Sequence, residues 1–233
     1  MNSACDSSRW RQSALLLLLW VLPLPGQAGE SLSEPVLQAQ TRVEAFHAQL
    51  IDSVAGPVAV AERYQRLRPV VARVFNSPTI ARLSLGRTWR DLSAPAQAAF
   101  TEALTDLIAA TYADRFSAAV QPTFTLLDAV AGRRGPVIKT QLQRSNGQRV
   151  ALDYHFRSGR IYNVVADGVS DLSLRRADYN TVVKSAGFAA LLQNIRSQQQ
   201  DLLGVEPVPV AGSDQPVLQQ TTQPATGPSR PHD

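Results

Sequence analysis

The chain has 233 residues, with 23 Lys or Arg residues against 19 Asp or Glu residues, which gives a formal net charge of +4. Its length suits one domain of ordinary size with flanking segments. A single cysteine, Cys5, excludes a disulfide within the chain and a cysteine-based metal site. The fold must therefore be held together by its core.

The beginning of the chain has the pattern of a secretory signal peptide. Arg9 and Arg11 precede an apolar run, Ala14 to Leu22, and small residues follow at Gly26-Gln27-Ala28. The run is shorter than the roughly 20 apolar residues of a membrane span, and a positive start with a small-residue exit is typical of a cleaved export signal. We therefore expect residues 1–28 to be removed. Export argues against a nucleic-acid partner, and the scattered basic residues favour weak, transient contact with an anionic membrane surface.

Four helices are predicted next, because apolar residues recur three, four and seven positions apart. They run from Val36 to Val54, from Val58 to Phe75, from Asn76 to about Gly86 and from Ala94 to about Val120. Pro69 lies inside the second helix and should kink or split it. Ser93 should cap the fourth helix, in whose first turn Pro95 is tolerated.

The fourth helix carries a narrow apolar stripe. The stripe comprises Phe100, Leu104, Leu107 and Thr111, with Ile108 at its flank. Gly86 and Trp89 form a Gly-x-x-Trp turn shortly before this helix. We expect Trp89 to pack at the base of the helix and Gly86 to allow the close turn, so both roles are structural.

The apolar period then changes from 3.6 to 2, which predicts four strands. They are Thr123 to Val130, Val137 to Gln143, Arg149 to Phe156 and Ile161 to Ala166. Tight-turn residues between the later strands predict antiparallel pairing. One face of the third strand carries Val150, Leu152, Tyr154 and Phe156. A last helix is predicted from about Arg176 to Leu203, and helices, strands and a helix in this order indicate an α+β fold.

Residues 29–204 are therefore predicted to form one domain. Residues 205–233 are rich in proline, glutamine and threonine and show no apolar period, so we expect a disordered tail.

Several short motifs, in order, resemble the MlaC/toluene-tolerance family. They are Leu85-Gly86-Arg87-Thr88-Trp89, Gln97, Phe100, Tyr112-Ala113-Asp114-Arg115-Phe116, Gly168-Val169-Ser170, Arg176, Tyr179, Gly187 and Leu191-Leu192. The match covers about Val36 to Leu203. The Arg-Arg-Ala-Asp-Tyr stretch after Ser170 is similar to the hopanoid-biosynthesis-associated branch of the family, HpnM. The chain departs from the family at Asn163, where many relatives have an Asp.

The resemblance implies a periplasmic lipid-binding protein that is not an enzyme. Helices wrapped over a roughly four-stranded antiparallel sheet would enclose an apolar pocket for acyl chains. Such a protein would shuttle phospholipid between inner- and outer-membrane complexes, as the soluble component of a Mla-type ABC transport system that maintains outer-membrane lipid asymmetry. The branch resemblance makes a hopanoid-related lipid the alternative ligand. An adaptor that docks on the membrane complexes without carrying lipid is a further possibility.

The two apolar faces supply the candidates for the pocket lining. These are Phe100, Leu104, Leu107, Ile108, Thr111, Val150, Leu152, Tyr154 and Phe156. The residues alone favour a packed core in which the two faces meet, and only the resemblance favours a cavity between them. Burial of a sixteen-carbon chain is worth on the order of 12 kcal/mol, at about 0.8 kcal/mol per methylene. A closed apolar cavity is what such a ligand requires.

Polar candidates are few. Arg175 and Arg176 are candidates for a lipid headgroup phosphate, although such a pair also suits the solvated start of a helix. Asp153 and His155 share a strand face and could act as an acid–base pair in a small isomerase or hydrolase, or lie on a solvated surface. No nucleophile elbow, phosphate loop or metal-ligand spacing occurs, so we expect no catalytic residue, metal or cofactor.

Overall fold

The computed structural model describes residues 32–117 and 122–204. The helices are α1 (Glu34–Ser53), α2 (Val60–Val74), α3 (Ser77–Leu85), α4 (Thr88–Asp91), α5 (Ala94–Arg115) and α6 (Asp171–Leu203). The strands are β1 (Thr123–Gly132), β2 (Gly135–Gln143), β3 (Arg149–Arg157), β4 (Arg160–Ala166) and β5 (Val169–Ser170). The predicted signal peptide and the predicted tail after residue 204 lie outside the described residues.

The helix starts follow local capping chemistry. Ser93 Oγ accepts a hydrogen bond from the Ala96 amide at 3.4 Å, as predicted for the start of α5. The Asn76 side chain accepts from the Thr79 amide at the start of α3, and Ser170 Oγ accepts from the Ser173 amide at the start of α6. These side chains satisfy amide donors that have no partner within the helix.

Three helix predictions need correction. Pro69 does not split α2, because the buried side chains of Leu67 and Val71 hold the helix in the core, which offsets the roughly 3 kcal/mol cost of an interior proline. The helix α5 ends at Arg115, before the expected Val120. The helix α6 begins at Asp171, five residues earlier than predicted, and is interrupted at Gly187 (φ 84°, ψ 173°), a conformation that favours glycine.

The five strands form one antiparallel sheet in the order β1-β2-β3-β4-β5. The four predicted strands are β1 to β4, and β5 adds a two-residue edge that the alternation pattern is too short to predict. In β3, Leu152 lies opposite Thr140 of β2 and Ala166 of β4. Because opposed residues in an antiparallel pair point to the same side, this register sets which side chains share a face.

The helices pack on the face of the sheet that carries Tyr154 and Phe156, each 1% exposed. The core beneath them contains the fully buried Phe46 of α1 and Phe100 of α5. The opposite face carries polar residues such as Lys139, whose Nζ lies 3.2 Å from Asp128 Oδ2. The fold is thus the expected α+β arrangement of helices over an antiparallel sheet.

Candidate functional site

A cavity of about 240 Å³ lies between the C-terminal half of α5, the inner face of the sheet and the start of α6. The buried side chains of Phe75 and Ile80 line it near the point where the backbone amide of Asn76 donates to the Ile161 carbonyl at 2.7 Å. Its apolar side walls include Ile108, Phe116, Leu142, Val150, Leu152, Tyr154 and Val164. The two faces identified from the sequence therefore stand apart at this end of the domain.

Part of the predicted lining lies at this cavity. The residues are Ile108, Thr111, Val150, Leu152 and Tyr154. The hydroxyl of Thr111 donates to the Leu107 carbonyl at 2.7 Å, so its polarity is used within the helix. These residues come from one end of the α5 stripe and one end of β3.

The other predicted lining residues lie in the packed core, away from the cavity: Phe100, Leu104, Leu107 and Phe156. The Phe100 ring contacts the rings of Tyr179 and Phe188 of α6, each with centroids 5.8 Å away. Phe156 lies opposite Ile161 at the far end of β3. A neighbouring element fills the space beside these side chains, so they face no gap.

Several lining residues were not predicted. Leu142 lies opposite Val150, and Val164 lies opposite Tyr154, so strand alternation would have found both once the register was known. Phe75 and Ile80 reach the cavity because α3 packs near β4. No local pattern carries that information.

One wall residue of the cavity, Tyr154, is paired with a second ionisable side chain, His47, that does not itself line the cavity. Tyr154 Oη lies 3.0 Å from His47 Nε2, and the His47 ring stacks on Phe124 with centroids 3.7 Å apart. Burial lowers the pKa of His47 to about 4 and raises the pKa of Tyr154 well above its usual value. Both groups are uncharged at neutral pH, so this part of the wall suits an uncharged ligand.

Four charged residues lie at one end of the cavity: Arg115, Arg144, Asp171 and Arg175. We call this end the mouth, because Arg115 and Asp171 are exposed to solvent. Arg175, with 14% of its side chain exposed, donates from Nε to Asp171 at 2.7 Å and from Nη1 to the Tyr179 hydroxyl at 3.1 Å. The second predicted headgroup residue, Arg176, is exposed, lies near Gly86 and is absent from the cavity lining.

Asn163 holds the start of α6 beside the mouth. Its Oδ1 atom accepts hydrogen bonds from the Leu172 amide at 3.1 Å and from Ser170 Oγ at 3.0 Å. An amide oxygen performs this capping role without adding a negative charge.

Trp89 and Gly86 lie where the chain enters α5. The Trp89 carbonyl accepts a hydrogen bond from Gln97 Nε2 at 2.8 Å, and the Trp89 side chain packs, partly buried, against the core. Gly86 follows α3 with φ 59°, a region that disfavours other residues. Neither residue lines the cavity.

Asp153 and His155 lie on the face of β3 that does not line the cavity. Asp153 is opposite Lys139 in the register, and the His155 ring lies 6.4 Å from that of Tyr162. Burial lowers the pKa of His155, and the charge of Asp153 acts in the opposite direction. The enzyme hypothesis needed this pair to face inward, and the structure places both residues on the other side of the sheet.

Within the part of the chain that the structure describes, no three acidic, His or Cys side chains lie close enough to hold a metal ion. None of the helices described there is both long enough and apolar enough to cross a bilayer.

Comparison with known proteins identifies a family and a fold. The model of the MlaC protein family matches residues 43–197. The structure of a phospholipid-binding protein from Ralstonia solanacearum, determined in complex with a phospholipid, superimposes with a TM-score of 0.60 and 18% sequence identity. The superposition covers 70% of this chain and 98% of that chain, which shows a shared fold. No curated protein sequence matches the chain.

Proposed function

Because the chain belongs to the MlaC family, we propose that it is a periplasmic lipid carrier that holds the acyl chains of a phospholipid in the cavity between α5 and the sheet. The observation that carries the proposal is the cavity itself, with apolar side chains along its walls and charged side chains at one end. This is the distribution of polarity that an amphiphile with one polar end requires.

Hydrocarbon burial supplies the driving force. Each methylene removed from water contributes about 0.8 kcal/mol. The lining residues Leu152 and Ile108 offer aliphatic contacts, and the buried Tyr154 hydroxyl is already paired with His47. An acyl chain can therefore enter the cavity while the Tyr154 hydroxyl keeps its hydrogen-bond partner. The family match and the phospholipid bound by the Ralstonia protein favour a phospholipid over a hopanoid-related lipid.

A whole acyl chain requires the walls to move apart. The cavity volume, about 240 Å³, is below the roughly 300–1,000 Å³ of ordinary small-molecule sites. The part of α6 before Gly187 supplies the wall residues Asp171 and Arg175. Since the helix is interrupted at Gly187, we propose that this part moves when the lipid enters.

The carrier role places the protein between two membranes. We propose that it exchanges lipid with inner- and outer-membrane complexes of a Mla-type ABC system and acts without catalysis. Export rests on the signal-like pattern of residues 1–28, and the position of Asp153 and His155 outside the cavity supports binding without chemistry.

The full chain, expressed in a Gram-negative bacterium and recovered from the periplasmic fraction, provides the test. Native mass spectrometry and solvent extraction should find phospholipid bound to protein that lacks residues 1–28. If the bound lipid has the mass of a hopanoid instead, the ligand is a hopanoid-related lipid and not a phospholipid. Protein that carries no lipid, and takes none from vesicles, would refute the carrier function, and protein confined to the cytoplasm would refute the location.

A further inference from the structure

We propose that the mouth of the cavity binds the phosphate of a lipid headgroup and repels a headgroup ammonium, so that the carrier prefers anionic phospholipids over zwitterionic or uncharged lipids. The inference rests on the proposed lipid-carrier function and adds the class of headgroup. It also assigns the contact to Arg115 and Arg144 instead of the predicted pair Arg175 and Arg176.

The topology brings these arginines together from distant parts of the sequence. Arg144 lies in the turn after β2, and Arg115 ends α5, shortly before β1 begins. Because Thr123 at the start of β1 pairs with Gln143 at the end of β2, the end of α5 and the β2–β3 turn lie at the same end of the sheet. The first turn of α6 reaches this end through β5, and the positive end of that helix favours an anion there.

The charges at the mouth do not balance. Arg175 is paired with Asp171, the one carboxylate among the lining residues. Among the described residues no carboxylate lies within ion-pair distance of Arg115 or Arg144. Two positive charges therefore remain at the entrance of an otherwise apolar cavity.

Arg144 provides a second and independent observation. Its Nη1 atom donates to Gln148 Oε1 at 3.1 Å and its backbone amide donates to the Gln148 carbonyl at 2.9 Å, so the residue is held in place. Its Nε atom is buried and has no hydrogen-bond partner among the described residues. A buried charged donor without an acceptor is costly. A phosphate oxygen at the mouth would accept from this atom, and the guanidinium fork suits phosphate geometry.

The experiment uses the mature protein, stripped of lipid and incubated with vesicles of equal parts phosphatidylglycerol and phosphatidylcholine. Mass spectrometry of the extracted lipid should show about tenfold enrichment of phosphatidylglycerol, because both lipids offer a phosphate but the choline ammonium is repelled by the two arginines that lack a carboxylate partner. Arg144→Gln and Arg115→Gln should each reduce the enrichment several-fold, so that the two lipids are taken up in more nearly equal amounts. Arg133→Gln is the matched control, because Arg133 is exposed in the β1–β2 turn at the other end of the sheet.

Equal uptake of the two lipids by the unmodified protein would overturn the inference while the carrier function stands. Enrichment that survives in the Arg115→Gln/Arg144→Gln double variant would also overturn it. Absence of either lipid from the protein would refute the carrier function together with the inference. If the enrichment persists in millimolar inorganic phosphate, the site binds a lipid headgroup whose acyl chains are held in the cavity. If free phosphate abolishes the enrichment, that assignment is overturned.

Discussion

The apolar stripe runs through both halves of α5, but the two halves have different roles. Phe100 and Leu104, in the N-terminal half, are fully buried, and rings of α6 fill the space beside Phe100. Ile108 and Thr111, in the C-terminal half, face the cavity. The strand β3 changes in the same direction, from Phe156 in the packed core to Val150 at the cavity. An apolar stripe on a helix therefore becomes core where another element packs against it and cavity wall where none does.

The largest effect on stability is expected in the packed half. Phe100→Ala should lower the free energy of unfolding by about 3–5 kcal/mol, because it removes a buried ring and leaves a void between α5 and α6. Urea denaturation measures this change. The lipid bound per folded molecule should stay constant, since Phe100 does not line the cavity. A loss below about 1 kcal/mol would show that this half is also loosely packed and would remove the contrast.

The second prediction concerns His47, which links α1 in the core to Tyr154 in the cavity wall. Its folded pKa of about 4 lies below the ordinary value of 6.5 because of burial. Between these values the unfolded chain binds a proton that the folded protein does not, so stability is complete above pH 6.5 and falls as the pH drops toward 4. The loss should reach about 3 kcal/mol by pH 4.

Urea denaturation of the His47→Gln variant at several pH values provides the check. The variant should lack this part of the pH dependence. His155→Gln is the control: the pKa of His155 is also lowered by burial, but the charge of Asp153 opposes the shift, so its removal should change the profile less. If the unmodified protein and His47→Gln lose stability with pH in the same way, His47 binds its proton equally well in the folded and the unfolded chain, and the prediction is wrong.

The comparison also shows what a sequence can predict. The strands β1 to β4 and the start of α5 follow from alternation and capping, which are local. Whether Phe100 or Ile108 faces a gap depends on α6 and β3, which are distant in sequence, so the apolar stripe alone favours a packed core at both positions and does not distinguish them. Arg144 was missed for a similar reason: an arginine in a turn resembles any surface residue until the topology places it beside a cavity.

Trp89 tests the base of the packed half. Trp89→Ala should lower the free energy of unfolding by about 1–2 kcal/mol, less than Phe100→Ala, because the ring is only partly buried and the backbone bond to Gln97 is kept. Thermal denaturation followed by circular dichroism measures it. Gln97→Ala, which removes the side-chain bond and keeps the ring, is the control. Reduced lipid uptake by folded Trp89→Ala protein would contradict a purely structural role.

The smallest effect on stability, and the sharpest test of the comparison, is expected from Leu152→Trp. An enlarged side chain in a packed core costs about 1–3 kcal/mol, whereas one that enters existing space should change the free energy of unfolding by less than about 1 kcal/mol. The indole would occupy the volume that an acyl chain needs, so lipid uptake from vesicles should be lost.

Two controls separate the causes of such a loss. Ala151→Trp places the same side chain on the other face of the same strand, where Ala151 is exposed, and should bind lipid normally. Leu104→Trp enlarges the packed half of α5 and should destabilise the protein. Should Leu152→Trp unfold the protein as strongly as Leu104→Trp does, the walls meet at both ends of α5 and no room for a hydrocarbon chain exists. A stable Leu152→Trp protein that excludes lipid means that the same kind of apolar stripe is core at one end and binding site at the other.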